Sequence, residues 1–333
     1  MPQTEVTLAA DADLRLSQTE EGRWIGVLLR SRKGFVIPRF AAALLARAAD
    51  PVPVTNLTAW MDQCGVPAPL LSACRSAGLL VAVDDAYWER RLERKRWQDH
   101  DWLAAYDYHA LTYGYPFEWY EKGRSFMDQT RMNTYSESDP DVDRFLVLHQ
   151  RSAIPVPPPR NAREPEMRTL DVDSVAFVLA MMGGIVLQAR NPWPHSAPAL
   201  RKTSPSGGSR HPTELFIRTH SVRGLPDGYH HYNPRENTLG FLSPMPALSD
   251  APRCDVHYVT HFARNRYRYR EPRTFRTVHM DVGHLMGTCD LLAASLELHV
   301  SHELGRVPDA VLVDLDLVRT EDCVMALSIL SEP

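Results

Sequence analysis

This chain lacks any apolar run approaching the 18 or so residues that a membrane-spanning helix requires. It also lacks a secretory signal, because the N-terminus is acidic and polar rather than basic and then apolar. Cysteine is scarce. Cys64, Cys74, Cys254, Cys289 and Cys323 are an odd number at wide spacing, no two form C-x-x-C, and no histidine cluster sits beside them at zinc spacing. Neither a disulfide framework nor a metal site is therefore expected. Charge of one sign is not in excess either: 37 Lys and Arg face 41 Asp and Glu, giving a net charge of −4. A general nucleic-acid binder and a membrane-surface protein are excluded on that balance. No repeat recurs at solenoid or propeller periods. What remains is ordinary globular composition, 44% apolar and 23% charged over 333 residues. A chain of that size buries a core without staples, and the expectation is a soluble cytoplasmic protein with reduced thiols.

Three zones are expected, at 1–88, 89–168 and 169–333. In the first, the stretch 23–36 alternates as a hairpin would, and Pro38 opens an Ala- and Leu-rich helix over 39–49. A second helix is expected at 54–63 with Thr55 or Asn56 as N-cap, and a third at 68–77 stopped by Gly78. The run 79–83 then reads as a strand. Three helices followed by a strand is the order of a winged helix. DNA binding is disfavoured because the second and third helices carry only Arg75 as a base. Docking of a peptide, or a purely architectural role, fits that unit better.

The second zone is read as a connector. Glu89–Arg96 forms a charged, solvated helix. Trp102, Tyr106, Tyr108, Tyr113, Tyr115, Phe117, Trp119 and Tyr120 form an aromatic stripe that packs against a neighbour or walls a substrate. The Pro-rich stretch 154–165 is expected to run extended. In the third zone a helix is expected over 173–187, ending near Gly183-Gly184, with strands at 214–218, 255–260 and 310–317. A long helix at 281–298 takes Asp281 as its N-cap.

Two segments carry chemistry. In Arg201-Lys202-Thr203-Ser204-Pro205-Ser206-Gly207-Gly208, two glycines after a serine let backbone N–H groups approach an anion, and Arg201 and Lys202 supply charge. The pattern is neither a P-loop nor G-x-G-x-x-G. The second segment is the arginine run from Arg264 to Arg276, read either as a basic surface loop or as a face toward an anionic cofactor or substrate.

Taken in order, these motifs resemble the SagB-type dehydrogenases, a branch of the FMN-dependent nitroreductases, over roughly residues 170–300. The likeness is carried by Pro205-Ser206-Gly207-Gly208 with Pro212 and Glu214, by Gly228-Tyr229-His230-His231-Tyr232-Asn233-Pro234, and by Arg268-Tyr269, Phe275-Arg276 and Asp281-Val282-Gly283-His284-Leu285. Within that branch the last run is most similar to the peptide maturation dehydrogenases. The resemblance implies an α+β fold with an antiparallel-rich sheet flanked by helices, a winged-helix-like N-terminal domain, a homodimer and one FMN per site. It implies that Arg201, Lys202, Pro205, Ser206, Gly207, Gly208 and Arg276 hold FMN, and that Tyr269 transfers a proton beside Arg268. Arg268 stands where azoline oxidases carry Lys; it steadies a phenolate but cannot act as a base. The implied substrate is a ribosomally made precursor peptide, modified by azoline oxidation or dehydroamino acid reduction, in a complex with other maturation enzymes.

The chain departs from that pattern in two places. The R-R-S/T-x-R element is absent, its nearest candidates being Arg151, Arg160 and Arg163. Leu296-Glu297-Leu298-His299-Val300 stands where a glycine loop is usual. A cofactor-free scaffold that binds a leader peptide or a partner enzyme is the alternative those departures leave.

Overall fold

The computed structural model describes residues 6–114, 126–138, 143–166, 168–189, 199–248, 250–304, 317 and 322–333. The chain divides into two compact units, Met1–Glu118 and Trp119–Pro333.

In the first unit the order is β1 (Thr7–Ala10), β2 (Leu14–Gln18), β3 (Trp24–Leu28), β4 (Lys33–Ile37), α1 (Arg39–Arg47), β5 (Val52–Pro53), α2 (Val54–Gln63), α3 (Pro69–Ser76), β6 (Leu80–Ala82), α4 (Asp85–Gln98) and α5 (Leu103–Thr112). Two three-stranded antiparallel sheets form, β5-β1-β6 and β2-β3-β4. Ala41, Ala42, Leu44 and Leu45 give α1 one apolar stripe, which packs with Leu57 and Met61 of α2 and Leu80 of β6.

The expected N-cap of α2 is corrected. Pro53 precedes the helix without any side-chain cap, because the Val54 N–H donates to the Val6 carbonyl at 2.9 Å. An end donor already satisfied by β-pairing needs no Thr55 or Asn56. The stop of α3 is as expected. Gly78 takes φ +74°, and Leu79 N–H reaches back to Cys74 O at 2.9 Å. From the aromatic stripe, Tyr106 is buried with Leu29 and Ala110 against Trp97, while residues 115–120 lie outside the described residues.

The second unit runs α6 (Phe126–Ser138), β7 (Ser152–Pro155), α7 (Val172–Gly183), β8 (Ile185–Ala189), β9 (Ala199–Lys202), β10 (Thr213–His220), β11 (Gly228–Asn233), β12 (Thr238–Pro244), β13 (Arg253–His261), α8 (Phe262–Arg268), α9 (Thr274–Ser295), β14 (His299–Leu304) and β15 (Asp322–Ser331). Seven strands pair in the order β14-β15-β13-β10-β11-β12-β7, every pair antiparallel. The strand period assigns their faces. Leu215 and Ile217 of β10 join the core with α7 and α9, whereas Phe216 joins a smaller cluster with Tyr229 and Val259.

Three expectations change here. The helix expected over 173–187 ends at Gly183, as the glycine pair Gly183-Gly184 led one to expect, but the residues beyond it form β8; a Cβ on Gly184 would lie 2.4 Å from both Ala180 O and Pro159 Cγ. The Pro-rich stretch begins as edge strand β7, where a proline costs no ladder bond on its outer side. The long helix starts at Thr274, so Asp281 is not its cap but lies two turns inside. The expected strand at 310–317 falls, except for Leu317, outside the described residues. No helix among the described residues is long and apolar enough to cross a membrane.

Candidate functional site

The loop between β9 and β10 is bent harder than any ordinary turn demands. Gly208 (φ +59°), Ser209 (φ +52°) and His211 (φ +47°) all occupy the left-handed region, two of them with side chains that disfavour it. Such strain persists only where the surroundings over-determine it. Here Asp281 does so. From the middle of α9 its Oδ2 accepts the Ser206 hydroxyl at 2.7 Å and its Oδ1 accepts the Gly207 N–H at 3.0 Å. Ser206 Oγ in turn accepts the His211 N–H at 2.8 Å. Burial is the main influence on the Asp281 carboxyl and raises its pKa, against the two hydrogen bonds that lower it.

The glycines are needed because the loop lies tight against its neighbours. A Cβ on Gly207 would come within 2.2 Å of Thr277 Cγ2, one turn before Asp281. A Cβ on Gly208 would come within 2.3 Å of the Tyr269 hydroxyl. Residues far apart in the chain are thus in contact, and bare backbone stands beside a phenol.

Beneath the loop lies a buried ionic knot. Glu214 accepts from Arg264 Nη1 at 2.6 Å and from His231 Nε2 at 3.3 Å. Desolvation opposes its charge, yet Arg264 and the His231 hydrogen bond hold the carboxyl well below its usual range. Arg264 Nε also donates to Asp143 O at 2.9 Å, and Arg144 Nη1 donates to Ser209 O at 3.1 Å. A cavity of about 20 Å³ remains among Lys202, Ser206, Glu214, Tyr232 and Asp281, room for about one water. The Tyr232 hydroxyl is buried there without a hydrogen-bond partner among the described residues. Desolvation pushes the Lys202 ammonium down to about 8, with Glu214 opposing.

No family model matches the chain. Over 128 residues it is 34% identical to the trifolitoxin-processing protein TfxB of Rhizobium leguminosarum bv. trifolii, covering 34% of this chain and 34% of that one. Over 108 residues it is 31% identical to a protein assigned as a nitroreductase in Methanocaldococcus jannaschii, covering 29% of this chain and 54% of the other. About a third of the chain is thus similar to a trifolitoxin-processing protein, and a somewhat shorter share to a protein assigned as a nitroreductase. The chain matches 34% and 54% of the lengths of those two relatives. A solved structure assigned as a nitroreductase from Anabaena variabilis aligns at a TM-score of 0.47 and 18% identity, over 61% of this chain and 46% of that one.

The residues expected from the sequence separate into two groups. Lys202, Pro205 and Ser206 line the cavity. Gly208 and Tyr269 meet outside it, with the Arg268 guanidinium 5.7 Å from the centre of the Tyr269 ring. Arg201 is exposed and alternates with Lys202 along β9, so the two cations project to opposite faces. Arg276 is exposed in the first turn of α9, beside the Thr277 that packs on Gly207. Ser206 and Gly207 give their donors to Asp281, which makes them builders of the loop. Of the nearest arginine candidates for the absent family element, Arg151 donates to Leu242 O beside the edge strand β7, and Arg160 lies in a short 3₁₀ turn.

Sequence reasoning missed the knot of Arg264, His231 and Tyr232, and gave Asp281 the wrong task. Charged Glu214 directly before the apolar run Leu215-Phe216-Ile217 was the available signal, since a buried carboxylate demands a cation. Among the described residues no group of three or more His, Cys, Asp or Glu could hold a metal ion.

Proposed function

We propose that this chain is an FMN-dependent oxidoreductase that modifies a ribosomally made peptide, either by oxidising an azoline ring or by reducing a dehydroamino acid. The observation that carries the reading is the strained loop fixed by Asp281, with the Tyr269 hydroxyl seated on Gly208. A glycine backbone with a phenol beside it and exposed Arg201 and Arg276 nearby in the fold fits a flat cofactor that carries a phosphate. FMN, when bound, supplies hydride-transfer chemistry. Arg201 and Arg276 would hold its phosphate, and Gly208 would let its ring approach the backbone. Tyr269 would hold or deliver a proton at its hydroxyl, with Arg268 steadying the phenolate. The same loop contact keeps that hydroxyl fixed against the backbone, so the proton is presented at one place.

Peptide as substrate is supported by the sequence match to a trifolitoxin-processing protein. A dimer is supported by α9, which exposes Phe275, Met280 and Leu291 beside Gly283 and Gly287. The helices and small sheets of the first unit are compatible with a winged-helix-like module that docks a leader peptide or a partner maturation enzyme.

One observation favours a second reading, a cofactor-free scaffold. The Ser206 hydroxyl and the Gly207 N–H, expected to face a cofactor, are both spent on Asp281. The two readings part on a simple measurement. The oxidoreductase reading expects purified protein that is yellow, releases FMN on denaturation, and keeps that flavin but turns over more slowly as Tyr269→Phe. Colourless protein that added FMN neither colours nor stabilises would leave the scaffold.

A further inference from the structure

We infer that the first unit carries a cleft for an acidic, apolar peptide segment, walled by α1, β2 and one face of α4 and centred on Arg94. The inference rests on the peptide part of the proposed function and not on flavin.

The cleft has a volume of about 450 Å³, within the range of sites that hold small ligands or a few residues of peptide. Its wall follows from helical spacing. Tyr87, Arg91, Arg94 and Gln98 recur at four-, three- and four-residue steps and so share one face of α4. The floor is apolar, made by Leu14 and Leu16 of β2 and Leu45 of α1.

Charge in the cleft is unbalanced. Arg91, Arg94 and Lys95 face a single carboxylate, Asp11, which already stands 3.7 Å from Arg90. Arg91 pairs with Asp50, and Lys95 reaches Asp99 at 2.7 Å; both are surface pairs of small worth that reorganise readily. Arg94 differs. Its Nε is buried and has no hydrogen-bond partner among the described residues. The carboxylate that attracts it, Asp107, is gripped by Arg15 Nε at 2.7 and 2.8 Å. Burial lowers the pKa of Arg94, and the neighbouring Arg15 adds to that. A guanidinium does not escape this cost by losing its proton at ordinary pH. An incoming carboxylate on the side of the guanidinium that lines the cleft would offset this cost through a charge-assisted hydrogen bond.

The floor narrows the choice of anion. Nucleic acid is bound through a series of phosphate contacts, which one arginine above three leucines, its neighbours Arg91 and Lys95 already paired, does not provide. An extended peptide alternates its side chains, so acidic residues meet Arg94 while apolar ones settle on Leu14, Leu16 and Leu45.

The test uses the full chain and a fluorescein-labelled synthetic peptide alternating Leu and Glu, followed by fluorescence anisotropy. Saturable binding is expected, with affinity falling about tenfold in Arg94→Gln, the scale of one charge-assisted hydrogen bond. The same peptide with Lys for Glu should not bind. Arg94→Leu should keep or raise the melting temperature, since it removes a half-buried guanidinium whose Nε has no hydrogen bond among the described residues. No binding of the acidic peptide, equal affinity in Arg94→Gln, tighter binding of single-stranded DNA, or a melting temperature lowered by Arg94→Leu would each overturn the inference. Flavin content is a separate readout. A colourless protein that binds the peptide removes the flavin reading alone, and a yellow protein that ignores the peptide removes the cleft alone.

Discussion

The first unit buries Asp13 between the Tyr106 hydroxyl, at 2.6 Å, and Arg30 Nε, at 2.7 Å. The second buries Glu214 between Arg264 and His231. Both are carboxylates almost out of water, and burial alone does not tell them apart. Their surroundings do. The Asp13 knot opens toward solvent through Arg30, whose side chain is 37% exposed, and its phenol has a partner. The Glu214 knot is closed, with Arg264 at 3%, and it leaves a cavity, an unpartnered phenol and a depressed lysine beside a strained loop. Polar groups that a fold buries and does not satisfy mark the place where something other than stability has been selected.

The largest expected contrast comes from removing each cation. Arg264→Leu leaves Glu214 charged and dry, and should cost the second unit about 3–5 kcal/mol. Arg30→Leu leaves Asp13 its phenol and nearby water, and should cost about 1 kcal/mol. Hydrogen exchange read separately on β10 and β3 gives each unit its own value. Equal losses would erase the distinction between the knots.

Lys202 tests the closed knot by pH. Its ammonium ionises near 8 when folded and near the ordinary 10.5 when unfolded. Between those values the unfolded chain holds the extra proton, so this group's contribution to stability rises with pH. Below pH 8 the half-buried charge is a cost in the native state, and Lys202→Met should be the more stable protein. Its advantage, up to about 3 kcal/mol, should shrink as pH rises toward 10. Urea denaturation of both proteins across that range measures the gap. A constant gap would mean that Lys202 stays hydrated.

Much of this was legible in the chain, unevenly. The apolar stripe of α1 follows Pro38, and Gly78 marks the end of α3, because local chemistry sets both. The start of α9 was hidden by its own arginines, yet Val278, Val282, Leu285 and Cys289 form one buried stripe of that helix with Asp281 inside it. A carboxylate in such a stripe reads as a cap only when the stripe is started too late. The loop was legible as an anion-type motif, but the pairing of Glu214 with Arg264 depends on β10 lying against β13, with Glu214 opposite Val259. No local pattern encodes that register. Glu297 takes φ +56°, the left-handed conformation that glycine adopts most easily, in the stretch where the resemblance led a glycine loop to be expected.

The smallest expected contrast is also the sharpest, because the same atom is deleted in each unit. Tyr106 donates to Asp13, and burial together with that carboxylate pushes its pKa up to about 12. Tyr106→Phe therefore leaves a buried carboxylate short of a donor and should destabilise the first unit by about 1–3 kcal/mol. Tyr232 is equally buried, and its hydroxyl has no partner among the described residues. If the 20 Å³ cavity beside it is dry, Tyr232→Phe removes an unsatisfied polar atom and should be neutral or stabilising. A loss comparable to that of Tyr106→Phe would show that a water, or a bound group, completes the hydroxyl's bonding. In that event the cavity under the loop is an occupied part of the site, and Lys202, Glu214 and Asp281 are the polar groups on hand to hold its occupant.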